Sequence, residues 1–189
     1  MLKFKIDHQQ FTPKELVRLE EARVNLELIC NSEMFRQEFL RADFSGETSN
    51  WKHKTNQEIF EHFMSGAETL QPEIDNEADI DLTIFNPKPF SNVVGYTYGN
   101  TIRQWINRKF FWSMSIIGVE GNICHEWGHK LGFDHDFNET KRRHFSICYQ
   151  LNKIIKYCHL KLIDGNDTIE AVKKTYVPKW KRIVFFWRY

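Results

Sequence analysis

Residues 125–136 read His-Glu-Trp-Gly-His-Lys-Leu-Gly-Phe-Asp-His-Asp. On a helix, His125 and His129 lie on one face, one turn apart, where two imidazoles can share a metal ion. Neutral imidazole nitrogens bind zinc well, at about 2.0–2.1 Å. Glu126 is rotated by one residue from His125. That offset lets its carboxylate miss the metal and reach a water bound there. A third ligand has to come from outside the helix. Gly132 stands where a positive-φ residue ends a helix and turns the chain back, and His135, three residues on, can complete a three-histidine set. Three protein ligands with water in the fourth place is the arrangement of a catalytic zinc rather than a structural one.

The spacing is specific. From this chain's own residue frequencies, the five fixed letters of HExxHxxGxxH arise by chance in roughly 5 of 100,000 such sequences, whereas a bare HExxH is a much weaker signal. The surrounding residues fit a helix from about 115 to 131. Ile116, Val119, Ile123 and Trp127 form a stripe for the core, and Gly118, Asn122, His125 and His129 form the opposite one. Small and polar residues beside the histidines leave room for a metal and a substrate.

The segment HEWGHKLGFDHD resembles the zinc signature of the metzincin metallopeptidases. Asp136 after the third histidine is similar to the reprolysin (adamalysin) branch, and Gly-Phe before it also occurs in astacin-like members. The run from Gly95-Tyr96-Thr97-Tyr98 through Asn107-Arg108-Lys109-Phe110-Phe111 to His135 resembles a group of small bacterial and phage-type proteins with a metzincin-like signature. Together the similarity covers about the middle third of the chain. It implies a zincin-like α+β fold: a twisted mixed sheet over an active-site helix, with a cleft for an extended peptide. The upper part then spans about residues 1–132, and a small, helical, basic C-terminal subdomain spans about 133–189, within a single domain.

The resemblance also implies one catalytic zinc ion held by His125, His129 and His135, with Glu126 as general base in hydrolysis of a peptide or protein substrate. Tyr149 is implied as a hydrogen-bond donor to the developing oxyanion. Metzincins place a methionine turn beneath the zinc, and this chain has no Met after Met114. Ser146-Ile147-Cys148-Tyr149 is the positional counterpart, similar to the Ser-Val-Pro-Tyr of the small bacterial group. Cys148 can pack there as a soft residue or, as a thiolate, ligate the metal. Asp136 is expected to anchor the turn through a hydrogen bond. Residues 1–50 are a candidate cover for the cleft, and Cys30 or Cys124 a candidate cap on the metal.

The rest of the chain must position this constellation. Its 189 residues suffice for one domain with a sizeable core. With 41% hydrophobic and 27% charged residues, wholesale disorder is excluded. No run approaches the roughly 18–20 apolar residues of a membrane span. The first ten residues lack a signal peptide's apolar centre, so a cytoplasmic location or export by a non-classical route is expected. Without that signal, the four cysteines are read as free thiols. Residues 141–189 carry 12 Lys/Arg against 3 Asp/Glu, and the first 140 carry 14 against 22. Two ends of one domain attracting each other account for this; a basic surface for nucleic acid or anionic lipid, built on residues 179–189, is the sharper alternative. A zinc-binding protein without turnover is a further reading.

Thr12-Pro13-Lys14-Glu15 predicts a helix start, followed by apolar residues at Leu16, Leu19, Ala22, Leu26 and Ile29. Ser32 starts a second helix. Residues 43–54 read as a loop, 56–64 as a helix, and 80–85, 93–98 and 102–106 as strands. Further helices are expected over 146–160 and 167–176.

Overall fold

The computed structural model describes residues 1–165; the helix expected over 167–176 and the basic aromatic segment 179–189 lie outside them. Alternation of apolar and polar side chains builds the sheet. In β1 (Lys3–Gln9), Phe4 turns inward while Lys3 and Lys5 face solvent. In β2 (Glu77–Phe85), Ala78, Ile80, Leu82 and Ile84 are buried on one face. β3 (Gly95–Thr97) and β4 (Arg103–Asn107) complete a four-stranded mixed sheet of order β1-β2-β4-β3. β2 pairs in parallel with both β1 and β4, and β3 runs antiparallel to β4 as an edge.

Six helices accompany the sheet: α1 (Pro13–Cys30), α2 (Glu33–Arg41), α3 (Asn56–Ser65), α4 (Arg108–Ser113), α5 (Ile116–Lys130) and α6 (Ile147–Leu162). The described residues thus form an α+β fold, as expected. Starts are set by side chains that accept the first unpaired backbone N–H groups. Thr12 and Glu15 form a reciprocal capping box at α1, and Thr55 and Glu58 form another at α3. Ser32, Ser115 and Ser146 cap α2, α5 and α6. No helix among the described residues is long and apolar enough to cross a membrane.

The structure departs from expectation locally. β1 was not expected, although Leu2, Phe4 and Ile6 alternate. The strand expected over 93–98 is the shorter β3, preceded by a loop in which the Asn107 side chain donates to the Val93 carbonyl (2.7 Å). Residues 43–54 contain a short 3-10 turn at Asn50–His53. The stripe on α5 is not two-sided. Val119, Ile123 and Trp127 are buried in the core, but Asn122 and His125 are buried too, and Ile116 in the first turn is only half-buried.

α5 is held between α1 and α6. Trp127 is fully buried, with Phe63 and Phe4 edge-on at 4.9 and 5.6 Å, and its indole N–H donates to Glu68 (2.7 Å). The same three helices share a buried polar contact. Glu120 of α5 accepts from His159 Nδ1 of α6 (2.7 Å) and from the Asn25 amide of α1 (2.8 Å). Asp164 lies 3.6 Å from His159 Nε2. Burial works against charge on His159, but the hydrogen bond and charge of Glu120 outweigh it and raise the pKa above the ordinary 6.5. The pair's charge therefore adds stability that is complete below about pH 6.5 and is lost as pH rises through the folded-state value. His159→Leu takes the charged partner from the buried Glu120 carboxylate and leaves it the Asn25 amide, at a cost of about 3 kcal/mol, or about 10 °C in Tm. Thermal unfolding should show this gap narrowing as pH rises above about 6.5.

Candidate metal centre

α5 carries His125, Glu126 and His129 toward its C-terminal end, and the turn that stops it delivers His135. The turn depends on Gly132, whose φ is +84°. There the chain reverses, with Phe133 N–H donating to the Gly128 carbonyl (3.1 Å). The Phe133 carbonyl then faces His129 Nδ1 at 2.9 Å. The residue that ends the helix therefore also orients one of its imidazoles.

The structure brings the three histidines together. One ring nitrogen from each of His125, His129 and His135 lies within 4.8 Å of the others, and His125 and His135 are buried. Each ring is held by a backbone carbonyl: His129 by Phe133, His135 Nδ1 by Asp136 (3.1 Å), and His125 by Cys148. An Nδ1–H given to a carbonyl leaves Nε2 with its lone pair, the state a ligand needs. Burial lowers all three pKa values, with the neighbouring rings adding to the effect at His125 and His135; His129 falls to about 4 and His135 to about 3. The donor set is three neutral imidazoles, and it fits a divalent borderline metal such as zinc.

Glu126, next to His125 on α5, is 2% exposed and lies outside the group of three converging side chains. Its Oε2 has no hydrogen-bond partner among the described residues. Burial pushes its pKa up to about 8, against the opposing charge of Lys130. Tyr149 is also at the cluster, with its ring centroid 4.8 Å from that of His125 and 5.0 Å from that of His135. The guanidinium of buried Arg143 lies 5.0 Å from the Tyr149 ring centroid. Asp136 accepts from the Thr140 hydroxyl (2.7 Å), which makes it an anchor of the turn.

Cys148 is buried, with Sγ 3.7 Å from His129 Nδ1. It packs against the helix at Gly128, where a Cβ would come within 3.0 Å of the sulfur. The thiol thus meets the Nδ1 edge of the ring. The group of side chains able to share an ion consists of the three histidines among the described residues. Cys30 and Cys124 are buried in the apolar core and lie outside the group able to share an ion, which removes them as caps on the metal. Of residues 1–50, the stretch 3–41 forms β1, α1 and α2 in the scaffold, while Ser49 lines the cavity beside His129 and His135.

Two positioning residues carry no signal in the sequence. Glu47, in the loop after α2, is 2% exposed, and its carboxylate accepts from three backbone N–H groups: Ser49 (3.1 Å), Asp134 (2.7 Å) and Ile147 (3.1 Å). One side chain thereby ties the segment bearing His135 to the start of α6, which bears Cys148 and Tyr149. Lys130, next to His129, donates to the Tyr98 and Thr101 carbonyls and binds the helix end to the β3–β4 turn. Glu47→Ala strands three N–H groups, so we expect a loss of about 3 kcal/mol in stability. Affinity for a divalent ion, with zinc as the probe, should fall roughly 10–100-fold, as for other groups that orient ligands. Competition with a chelating dye checks the second figure.

No family model matches the chain, and no curated protein matches it either.

Proposed function

We propose that this protein is a zinc-dependent endopeptidase of the metzincin-like kind, hydrolysing peptide bonds with Glu126 as general base. The observation that carries the reading is the clustering of three imidazole nitrogens within 4.8 Å, with the next residue after His125 a buried carboxylate whose Oε2 has no hydrogen-bond partner among the described residues. A structural zinc site has no use for such a carboxylate; a hydrolytic one needs it. Zinc held by the three histidines supplies Lewis acidity to water and to the scissile carbonyl. Glu126 takes the proton of the attacking water and hands it to the leaving amine. Tyr149, beside His125 and His135, donates a hydrogen bond to the oxyanion as it forms. β3 is an edge strand and offers its open side to an extended peptide by strand addition. Cys148, under Gly128, takes the place of the methionine beneath the histidines.

The test is cleavage of a broad peptide library by the zinc-loaded protein, before and after chelation. Cleavage that chelation abolishes and zinc restores supports the reading. Zinc uptake without any cleavage favours the alternative, a zinc protein used for binding.

A further inference from the structure

A cavity of about 380 Å³ opens directly beside His129 and His135, within the usual range of ligand pockets. Its lining combines two chemistries. Glu68, Asp79 and Asp134 contribute carboxylates, and Tyr98 and Phe137 contribute aromatic rings that are 42% and 50% exposed. Glu68 is 3% exposed and rigidly held: its Oε1 accepts from the Trp127 indole (2.7 Å) and from Asp79 N–H (3.0 Å). Asp79 follows Ala78 and precedes Ile80, both turned to the core, so its side chain leaves the sheet on the other face.

The charges in this cavity do not balance. Lys130 is the one lysine or arginine in the lining among the described residues, and its ammonium is turned onto two backbone carbonyls. Lys5 on β1 is ion-paired with Glu77, and its charge also acts on Asp79 without outweighing burial there. Burial raises the pKa values of both Glu68 and Asp79. Carboxylates in a walled cavity favour a cation, aromatic faces at its mouth attract one as well, and apolar walls suit a methylene stem. A guanidinium or ammonium on an aliphatic chain meets all three conditions. A neutral apolar group would desolvate the carboxylates without compensation, and an acidic one would be repelled.

We propose that this cavity is a subsite for a basic side chain, arginine or lysine, of an extended peptide whose neighbouring bond lies at the metal centre. The proposal rests on the peptidase reading for its setting but makes a separate claim about recognition. The experiment uses the zinc-loaded full chain and two measurements: cleavage of a peptide library, and binding of acetyl-arginine amide against acetyl-norleucine amide by calorimetry. Arginine is expected to be preferred over norleucine at one library position by roughly 10-fold or more. Asp79→Asn should reduce that ratio several-fold, and Glu68→Gln, which keeps the shape, should do the same. Cleavage with no basic preference, or with a preference that neither variant moves, overturns the subsite and leaves the peptidase reading standing. No cleavage, but arginine-selective binding that both variants weaken, upholds the subsite and overturns the peptidase reading. Absence of both effects overturns both.

Discussion

Glu126→Gln is expected to lower peptide cleavage by about 10³-fold while the protein still takes up one zinc. Glutamine keeps the shape of the side chain and cannot accept the water's proton. General bases contribute on the order of 10²–10⁴-fold, and Glu126 is the buried carboxylate that follows His125 on α5 and stays outside the group of three imidazoles. The residue is 2% exposed, so the isosteric change is needed to keep packing constant. The loss should fall on kcat more than on KM, because the group acts when the water attacks rather than when the peptide binds. Cleavage by this variant within a few-fold of the unaltered protein would falsify the assignment of Glu126 as base.

His135→Ala is expected to weaken zinc binding by more than 100-fold. Removing a group that merely orients a ligand costs about 10–100-fold, and removing the ligand itself should exceed that. The effect can be separated from unfolding. The segment holding His135 is also fastened through Asp134 N–H to Glu47 (2.7 Å) and through Phe133 N–H to Gly128. The metal-free variant should therefore melt within a few degrees of the metal-free parent. Zinc should raise the parent's Tm and leave the variant's almost unmoved, since only the former binds the ion in its folded state. Equal stabilisation of both by zinc would show that the ion sits elsewhere.

Much of this centre was legible in the sequence because its determinants are local. The four-residue spacing of His125 and His129, the stop at Gly132 and the helix starts at Thr12 and Ser32 each act within a turn or two. Contacts between distant segments left no such trace. Glu47 lies in a polar stretch that reads as a loop, and its role appears only when the fold brings residues 134 and 147 to it. Lys130 occupies a variable position of the motif, and the carbonyls it meets belong to a strand turn about 30 residues earlier. β1 carries only three alternating apolar residues, a weak pattern, and β2 beside it supplies the pairing that makes it a strand. α4 is only six residues long and depends on the Asn107 side chain accepting from Lys109 N–H (2.9 Å). The stripe on α5 misled for a related reason. α6 and β3 pack against α5, so the stripe read as room for a metal and a substrate is itself partly buried, Asn122 and His125 included.

The central claim is that three imidazoles, and no sulfur, hold one divalent ion that keeps a place for water. X-ray absorption at the zinc edge, on the full chain loaded with one equivalent of zinc, tests it most directly. The account predicts nitrogen and oxygen scatterers alone at about 2.0–2.1 Å, with an imidazole pattern for three of them. A sulfur scatterer at about 2.3 Å, or failure to retain zinc after dialysis, would contradict it.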